Sequence, residues 1–194
     1  MHVAMMRLAK GMAVLGALVL SFLIVMTCIS VLGRELNSVF NSDVLQSLAP
    51  GFSQAMLEWG IGPILGDFEL VENMMAFVIF AFLPLTQIHS AHATVDIFTT
   101  RFPTRVLNWM AAVTEIVFAV VLIVFAVKLY EGMQAKMRYG ETTYLIQFPV
   151  WWAYAAALVA AAIAALSGVY MALVRLAEAL SGRRSETETP GADH

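Results

Sequence analysis

Four long stretches with almost no charge constrain this chain more than any other feature. They cover about residues 11–33, 70–88, 106–127 and 149–174, and their only charged residues are Glu72 and Glu115. About 20 apolar residues cross the roughly 30 Å of bilayer hydrocarbon as a helix. Because lipid cannot hydrogen-bond a backbone, each stretch must satisfy its own N–H and C=O groups. The sequence therefore predicts an all-α integral membrane protein with four transmembrane helices.

The first stretch has a rival interpretation as a secretory signal peptide, because Arg7 and Lys10 precede it. The stretch is longer than such an apolar region, and no small-residue cleavage site follows it. We therefore expect a retained membrane helix. Residues 1–180 are predicted to form one four-helix membrane domain. The polar residues 181–194 cannot build a core, so a disordered cytoplasmic tail is expected.

The distribution of Lys and Arg predicts the orientation, since cytoplasmic loops carry more of them. Seven lie on the side of the two termini, namely Arg7, Lys10, Arg101, Arg105, Arg175, Arg183 and Arg184. Four lie on the other side, namely Arg34, Lys128, Lys136 and Arg138. Both termini are therefore predicted to be cytoplasmic, and the chain to be a multi-pass membrane protein.

The segment between the first two spans, residues 35–68, is predicted to be periplasmic. Apolar residues recur there at steps of three and four, which places them on one helical stripe interrupted by Pro50. The stripe consists of Leu45, Leu48, Phe52, Met56 and Trp59. Two interpretations stay open: an amphipathic helix lying in the membrane interface, or a loop packed on the ends of the spans.

Candidate catalytic, cofactor and metal sites are scarce. No histidine lies at the centre of a span, so a bis-histidine haem has no axial ligands. His89, His92 and Asp96 could share a helix face, but further ligands for a metal are missing nearby. No phosphate-binding loop or nucleophile motif is present. We therefore predict no enzyme activity, no cofactor and no metal, and the net charge of -3 gives no indication of nucleic-acid binding.

Glu115 is the one charged residue deep within a predicted span, near the midpoint of the third. A carboxyl group at that depth is costly and faces protein or water, not lipid. It is either a proton or sodium relay or a structural group hydrogen-bonded to another helix. The sequence favours the structural role, because the other spans offer few polar groups that could continue a relay.

Small residues recur at every fourth position of the fourth span. One row contains Ala153, Ala157, Ala161 and Ala165, and the neighbouring row contains Ala156, Ala160, Ala164, Gly168 and Ala172. Small side chains let membrane helices approach closely. We expect this face to pack against other helices, at least partly those of a partner subunit.

Three motifs follow one another along the chain. An acidic pair opens the second span, residues 89–96 read His-Ser-Ala-His-Ala-Thr-Val-Asp after it, and a Pro-Val-Trp-Trp sequence opens the fourth span. The residues that carry the pattern are Glu69, Glu72, His92, Asp96, Pro149 and Trp151. In this order and spacing the motifs resemble the small membrane subunit of TRAP (tripartite ATP-independent periplasmic) transporters, the DctQ-like family.

The resemblance implies an accessory or scaffold permease subunit of a sodium-coupled symporter for organic acids, and thus carboxylate uptake. Its expected partners are a large membrane subunit, a periplasmic substrate-binding protein and the lipid bilayer. Two other hypotheses stay open: a membrane electron-transfer or enzyme subunit, and a self-assembling small channel with Glu115 in its pore.

Overall fold

A computed structural model describes residues 2–48, 50–58, 60, 62–89 and 104–181. Six helices lie within these ranges: α1 His2–Phe40, α2 Asp43–Leu48, α3 Pro50–Glu58, α4 Asp67–Ile88, α5 Thr104–Tyr139 and α6 Val150–Ser181. Helices α1, α4, α5 and α6 are long and apolar enough to cross a membrane. The described residues form no strand beyond one isolated bridge. The predicted all-α class and the four spans are confirmed.

The helices extend well past the predicted apolar stretches. Helix α1 has 39 residues and α5 has 36, and at 1.5 Å per residue α5 is about 54 Å long. The bilayer hydrocarbon needs only about 30 Å. The last turns of α5 carry charged residues, including Lys136 and Arg138, so α5 continues as a helix beyond the lipid. Apolar composition marks only the part of a helix that lipid surrounds, so the predicted spans do not define where these helices end.

Two short helices occupy the connection between α1 and α4. Pro50 is the first residue of α3, a position where its missing N–H costs nothing. The Ser53 hydroxyl donates to the Phe40 carbonyl, and the Phe40 and Phe52 rings meet edge-on at 6.1 Å. The end of α1 thus holds α3, while Leu48 stays 77% exposed and Phe52 54%. Trp59 and the tail beyond α6 lie outside the described residues. For α2 and α3, the two interpretations, a location in the membrane interface and packing on the ends of the spans, both stay open.

The spans form a row in the packing order α1, α4, α6, α5, which we call the helix row. Helix α6 packs against both α4 and α5, whereas α1 packs chiefly on α4. Ala160 and Ala164 of α6 are completely buried. A Cβ on Gly168 would lie 3.2 Å from Leu122 Cδ1 and 3.4 Å from Ala119 Cα of α5. Small side chains therefore bring α6 close to its neighbours and make it the centre of the molecule.

The two edges of the helix row keep broad apolar faces. The exposed aliphatic and aromatic side chains of α1 include Val14, Leu18, Phe22, Val25 and Leu32. Those of α5 include Val113, Val117, Val120, Val124 and Val127. These aliphatic and aromatic side chains need no hydrogen-bond partner, so both faces can contact lipid or the apolar helices of another subunit.

Candidate functional site

Glu69 connects the first turn of α4 to the loop between α5 and α6. Its Oε1 accepts a hydrogen bond from the Leu145 N–H at 2.7 Å, and its Oε2 accepts one from the Ile146 N–H at 3.1 Å. Hydrogen bonds to an ionised acceptor are stronger than neutral ones. One carboxylate thus anchors a loop that lies more than seventy residues away in sequence.

The loop that Glu69 holds, residues 140–149, is closed by its own hydrogen bonds. Thr142 and Pro149 form an antiparallel bridge. The Thr143 N–H donates to the Phe148 carbonyl at 2.9 Å, and the Phe148 N–H donates to the Thr143 hydroxyl at 2.9 Å. Pro149 therefore ends a compact turn directly before α6, next to the predicted start of the fourth span.

Charged and aromatic side chains surround this turn. Lys136 of α5 forms an ion pair with Glu141 of the loop. Trp151, half-buried in the first turn of α6, lies with its ring centroid 4.8 Å from that of Trp152. The two Trp residues come right after Pro149 and Val150, so the third motif forms one local unit at the start of α6.

Gly66 has two reasons to be glycine. Its φ is +83°, a left-handed conformation that costs a residue with a Cβ. A Cβ at this position would also overlap the Ile146 side chain. The close approach of Gly66 to Ile146 complements the hydrogen bonds of Glu69 and fixes the loop against the start of α4.

Asp67 forms a second junction, between α1 and α4. Its carboxylate is buried and pairs with the Arg34 guanidinium at 3.5 Å, while Oδ1 accepts the Phe68 N–H at 2.9 Å. The Arg34 guanidinium lies 5.4 Å from the Phe68 ring centroid, a cation–π distance. Beside it, the Ile64 N–H donates to the Ser30 hydroxyl at 3.1 Å. Asp67 was not among the residues predicted from the sequence, although a lone arginine ending one span and an acid opening the next was a usable signal.

Glu115 is buried at 5% exposure and accepts a hydrogen bond from the Gln87 side-chain amide of α4. Gln87 is 1% exposed and is the second-last residue of α4. The middle of α5 lies near Leu122, so Glu115 is about two turns from it, beside the end of α4. Because α5 continues past the predicted span 106–127, the position of Glu115 near the midpoint of that span stays a prediction. Gln87, the amide that ends the second apolar stretch, was not predicted as its partner.

The alanine face of α6 is an internal packing surface. Ala160, Ala164 and Gly168 are buried between α6 and its neighbours, and Ala156 is half-buried. Helices α4 and α5 of the same chain already cover Ala160, Ala164 and Gly168. Contact of a partner subunit with the half-buried Ala156 stays a prediction.

Two motif residues cannot be placed, since His92 and Asp96 lie outside the described residues. His89 is exposed at the C-terminal end of α4. Glu72 is exposed one turn after Glu69 and lines a cavity with it. Across the described ranges, no three His, Cys, Asp or Glu side chains are grouped to hold a metal ion.

Comparison with known protein families gives one match for the sequence of this chain. Residues 23–179, most of the chain, match the family described as "Tripartite ATP-independent periplasmic transporters, DctQ component". The match begins within α1 and takes in α4, α5 and nearly all of α6. No match was found among curated proteins or among solved structures.

Proposed function

Because the chain belongs to the DctQ family, the small component of tripartite ATP-independent periplasmic transporters, we propose that it is the scaffold that holds a large transport subunit in the bilayer. The chain is thus a transporter subunit of the inner membrane and not an enzyme. The resemblance described from the three motifs is confirmed.

The scaffold role is supported most directly by the division between the centre and the edges of the helix row. The central helix α6 is covered on its small-residue face by α4 and α5. The edge helices α1 and α5 leave long apolar faces uncovered. A subunit that positions another in the membrane needs a stable interior together with apolar surface for its partner, and this arrangement provides both.

The internal polar contacts also favour a static subunit. Glu69 holds the loop between α5 and α6, Asp67 pairs with Arg34 between α4 and α1, and Gln87 donates to Glu115 between α4 and α5. Each contact ties two elements of the chain together. We propose that Glu115 acts structurally, through its hydrogen bond to Gln87, and not as an ion relay.

The remaining parts of the proposal come from the family. A large membrane subunit would bind an organic acid together with sodium, and a periplasmic binding protein would deliver the acid. The exposed loop 140–149 and helices α2 and α3 lie on the predicted periplasmic side and would be available to that protein.

Co-expression of the chain with a large TRAP membrane subunit from the same organism tests the assignment. We expect the two to purify as one complex, and we expect sodium-dependent uptake of an organic acid in proteoliposomes that also receive the binding protein. The chain reconstituted alone should carry no flux. Ion flux through the chain alone would support the channel hypothesis, and a haem or quinone spectrum would support the electron-transfer hypothesis.

A further inference from the structure

A cavity of about 540 Å³ lies between α4, α5 and α6 at the end of the helix row that carries loop 140–149. Helices α4 and α5 approach each other through the Phe80 and Phe125 rings, whose centroids are 6.0 Å apart, and through Gln87 and Glu115. The cavity fills the space between these two helices on the side of Glu69 and Lys136. Its volume lies within the range of about 300–1,000 Å³ that is usual for small-molecule sites.

The cavity wall is divided into a polar and an apolar part. Its polar part includes the carboxylates of Glu69, Glu72 and Glu141 and the ammonium of Lys136. The apolar part includes Ala76 of α4, Leu129 of α5, and Ala153 and Ala157 of α6. These apolar residues belong to spanning helices, so a ligand that fills the cavity must carry both charged groups and hydrocarbon.

Some of the charged groups in the polar part of the wall have hydrogen-bond or ion-pair partners within the described residues, and Glu72 does not. The Glu69 carboxylate accepts two backbone N–H groups, and Glu141 pairs with Lys136. Within the described residues, Glu72 makes no hydrogen bond or ion pair, and its exposed carboxylate remains available in the cavity wall. An ammonium group has three N–H donors, so Lys136 can donate to a second acceptor besides Glu141. The wall therefore offers one carboxylate for a cation and one shared ammonium for an anion.

We propose that this cavity binds the headgroup of an amine-bearing phospholipid of the phosphatidylethanolamine class. The lipid ammonium would lie at Glu72 and its phosphate near Lys136. Hydrocarbon would follow the small side chains of Ala153 and Ala157. The Tyr144 and Tyr154 rings in the wall can also contact the cation. The inference does not depend on the scaffold role, because every residue in it belongs to this chain.

Headgroup chemistry separates this lipid from the alternatives. The quaternary ammonium of phosphatidylcholine has no N–H to donate to Glu72, and phosphatidylglycerol has no cation at all. A soluble amine with a phosphate shares the headgroup but lacks the hydrocarbon that the apolar wall would contact. The ligand class can therefore be identified by changing one chemical group at a time.

The test is lipid retention by the full chain, measured by native mass spectrometry. The chain is purified from vesicles that contain phosphatidylethanolamine, phosphatidylcholine and phosphatidylglycerol in equal amounts. We expect phosphatidylethanolamine to be retained preferentially. Glu72→Gln should reduce this retention about tenfold, as expected when a hydrogen bond to a charged group is lost. Its matched control is Glu131→Gln, on the exposed part of α5 outside the cavity wall.

A second pair of variants tests the phosphate contact and the hydrocarbon contact. Lys136→Gln should reduce retention of phospholipid, whereas Lys128→Gln, at the other exposed Lys–Glu pair of α5, should leave it unchanged. Ala76→Phe fills the apolar part without changing a charge and should also exclude the lipid. Each variant is compared with the wild type only if both elute at the same volume in size-exclusion chromatography. If Glu72→Gln fails this check, Ala76→Phe still tests whether the lipid occupies the cavity.

Four results would overturn the proposal. They are equal retention of all three lipids, equal retention by Glu72→Gln and Glu131→Gln, equal thermal stabilisation by soluble phosphoethanolamine, and loss of the retained lipid when the large subunit binds. The third would assign the cavity to a soluble amine, and the fourth would assign it to a side chain of the partner. The scaffold proposal would survive all four results.

Discussion

At the scale of single residues, polar side chains in this protein form hydrogen bonds that connect different elements. The Glu115 carboxyl group and the Gln87 amide satisfy each other in the buried space between α5 and α4. Glu69 uses both of its oxygens on backbone N–H groups of a distant loop. An unpaired polar group in a membrane interior costs free energy, so each such residue is tolerated because it has a partner.

Replacing Glu115 tests the structural role. We expect Glu115→Leu to lower the free energy of unfolding by about 1–3 kcal/mol, because the buried Gln87 amide loses an acceptor. Glu115→Gln should cost less, since an amide oxygen can still accept. Thermal unfolding in detergent measures both changes, with Thr114→Leu on the exposed side of α5 as control. A Glu115→Gln variant that keeps wild-type stability but loses transport in the complex would assign Glu115 to a relay instead.

Replacing Glu69 tests the anchoring of loop 140–149. In Glu69→Gln one oxygen becomes an amide donor and the negative charge is lost, so the Leu145 and Ile146 amides should exchange hydrogen faster. Hydrogen-exchange mass spectrometry of the peptide that covers the loop measures this. Glu131→Gln is the matched control, because Glu131 of α5 lies outside the cavity wall and does not contact those amides. Unchanged exchange in Glu69→Gln would show that the loop's own hydrogen bonds suffice.

At the scale of elements, α6 determines how the spans are arranged. Its small residues face α4 and α5, and its large residues such as Val159 and Leu166 face outward. Helices whose backbones approach closely form many dispersion contacts. These contacts stabilise helix packing inside lipid, where the hydrophobic effect does not drive it. The element with the smallest side chains is therefore the most buried of the four spans.

Enlarging one of these small residues should therefore destabilise the subunit itself. Ala164→Leu adds a bulky side chain at a fully buried position, and we expect a loss of about 1–3 kcal/mol in the free energy of unfolding from overpacking. Val159→Leu, at an exposed position of the same helix, should be nearly neutral. Thermal unfolding of the isolated chain measures both. Equal stability of Ala164→Leu and wild type would contradict the internal role of the alanine face.

At the scale of the whole molecule, the helix row is asymmetric between its two ends. One end is closed by loop 140–149, helices α2 and α3, and the Asp67–Arg34 junction. The other end carries the start of α1, the end of α6, and a hydrogen bond between the Tyr170 hydroxyl and His2 Nδ1 at 3.3 Å. The distribution of Lys and Arg predicts that the first end is periplasmic and the second cytoplasmic.

Cysteine labelling in cells tests this orientation. Cys28 is the single cysteine of the chain, so Cys28→Ser provides a background without thiols. Tyr144→Cys, at a residue 91% exposed in loop 140–149, should react with a membrane-impermeant maleimide applied from the periplasm. Val3→Cys near the start of α1 should react only after the membrane is permeabilised. The opposite pattern would reverse the predicted topology.

The sequence by itself determined how many spans this protein has and roughly where they lie, because whether a segment can cross the bilayer depends on its own apolar length. It also contained the motif order that indicates the family. It did not determine the helix ends outside the lipid, because apolarity marks only the part of a helix that lipid surrounds.

Only the tertiary structure decided which polar residues meet and which faces are internal. Glu69 contacts residues more than seventy positions away, and Glu115 meets an amide on another helix. The same alanine pattern would have suited a partner subunit, but α4 and α5 cover it within the chain. Such contacts depend on how the helices are arranged around α6, and that arrangement is a property of the whole packed chain, not of any one segment.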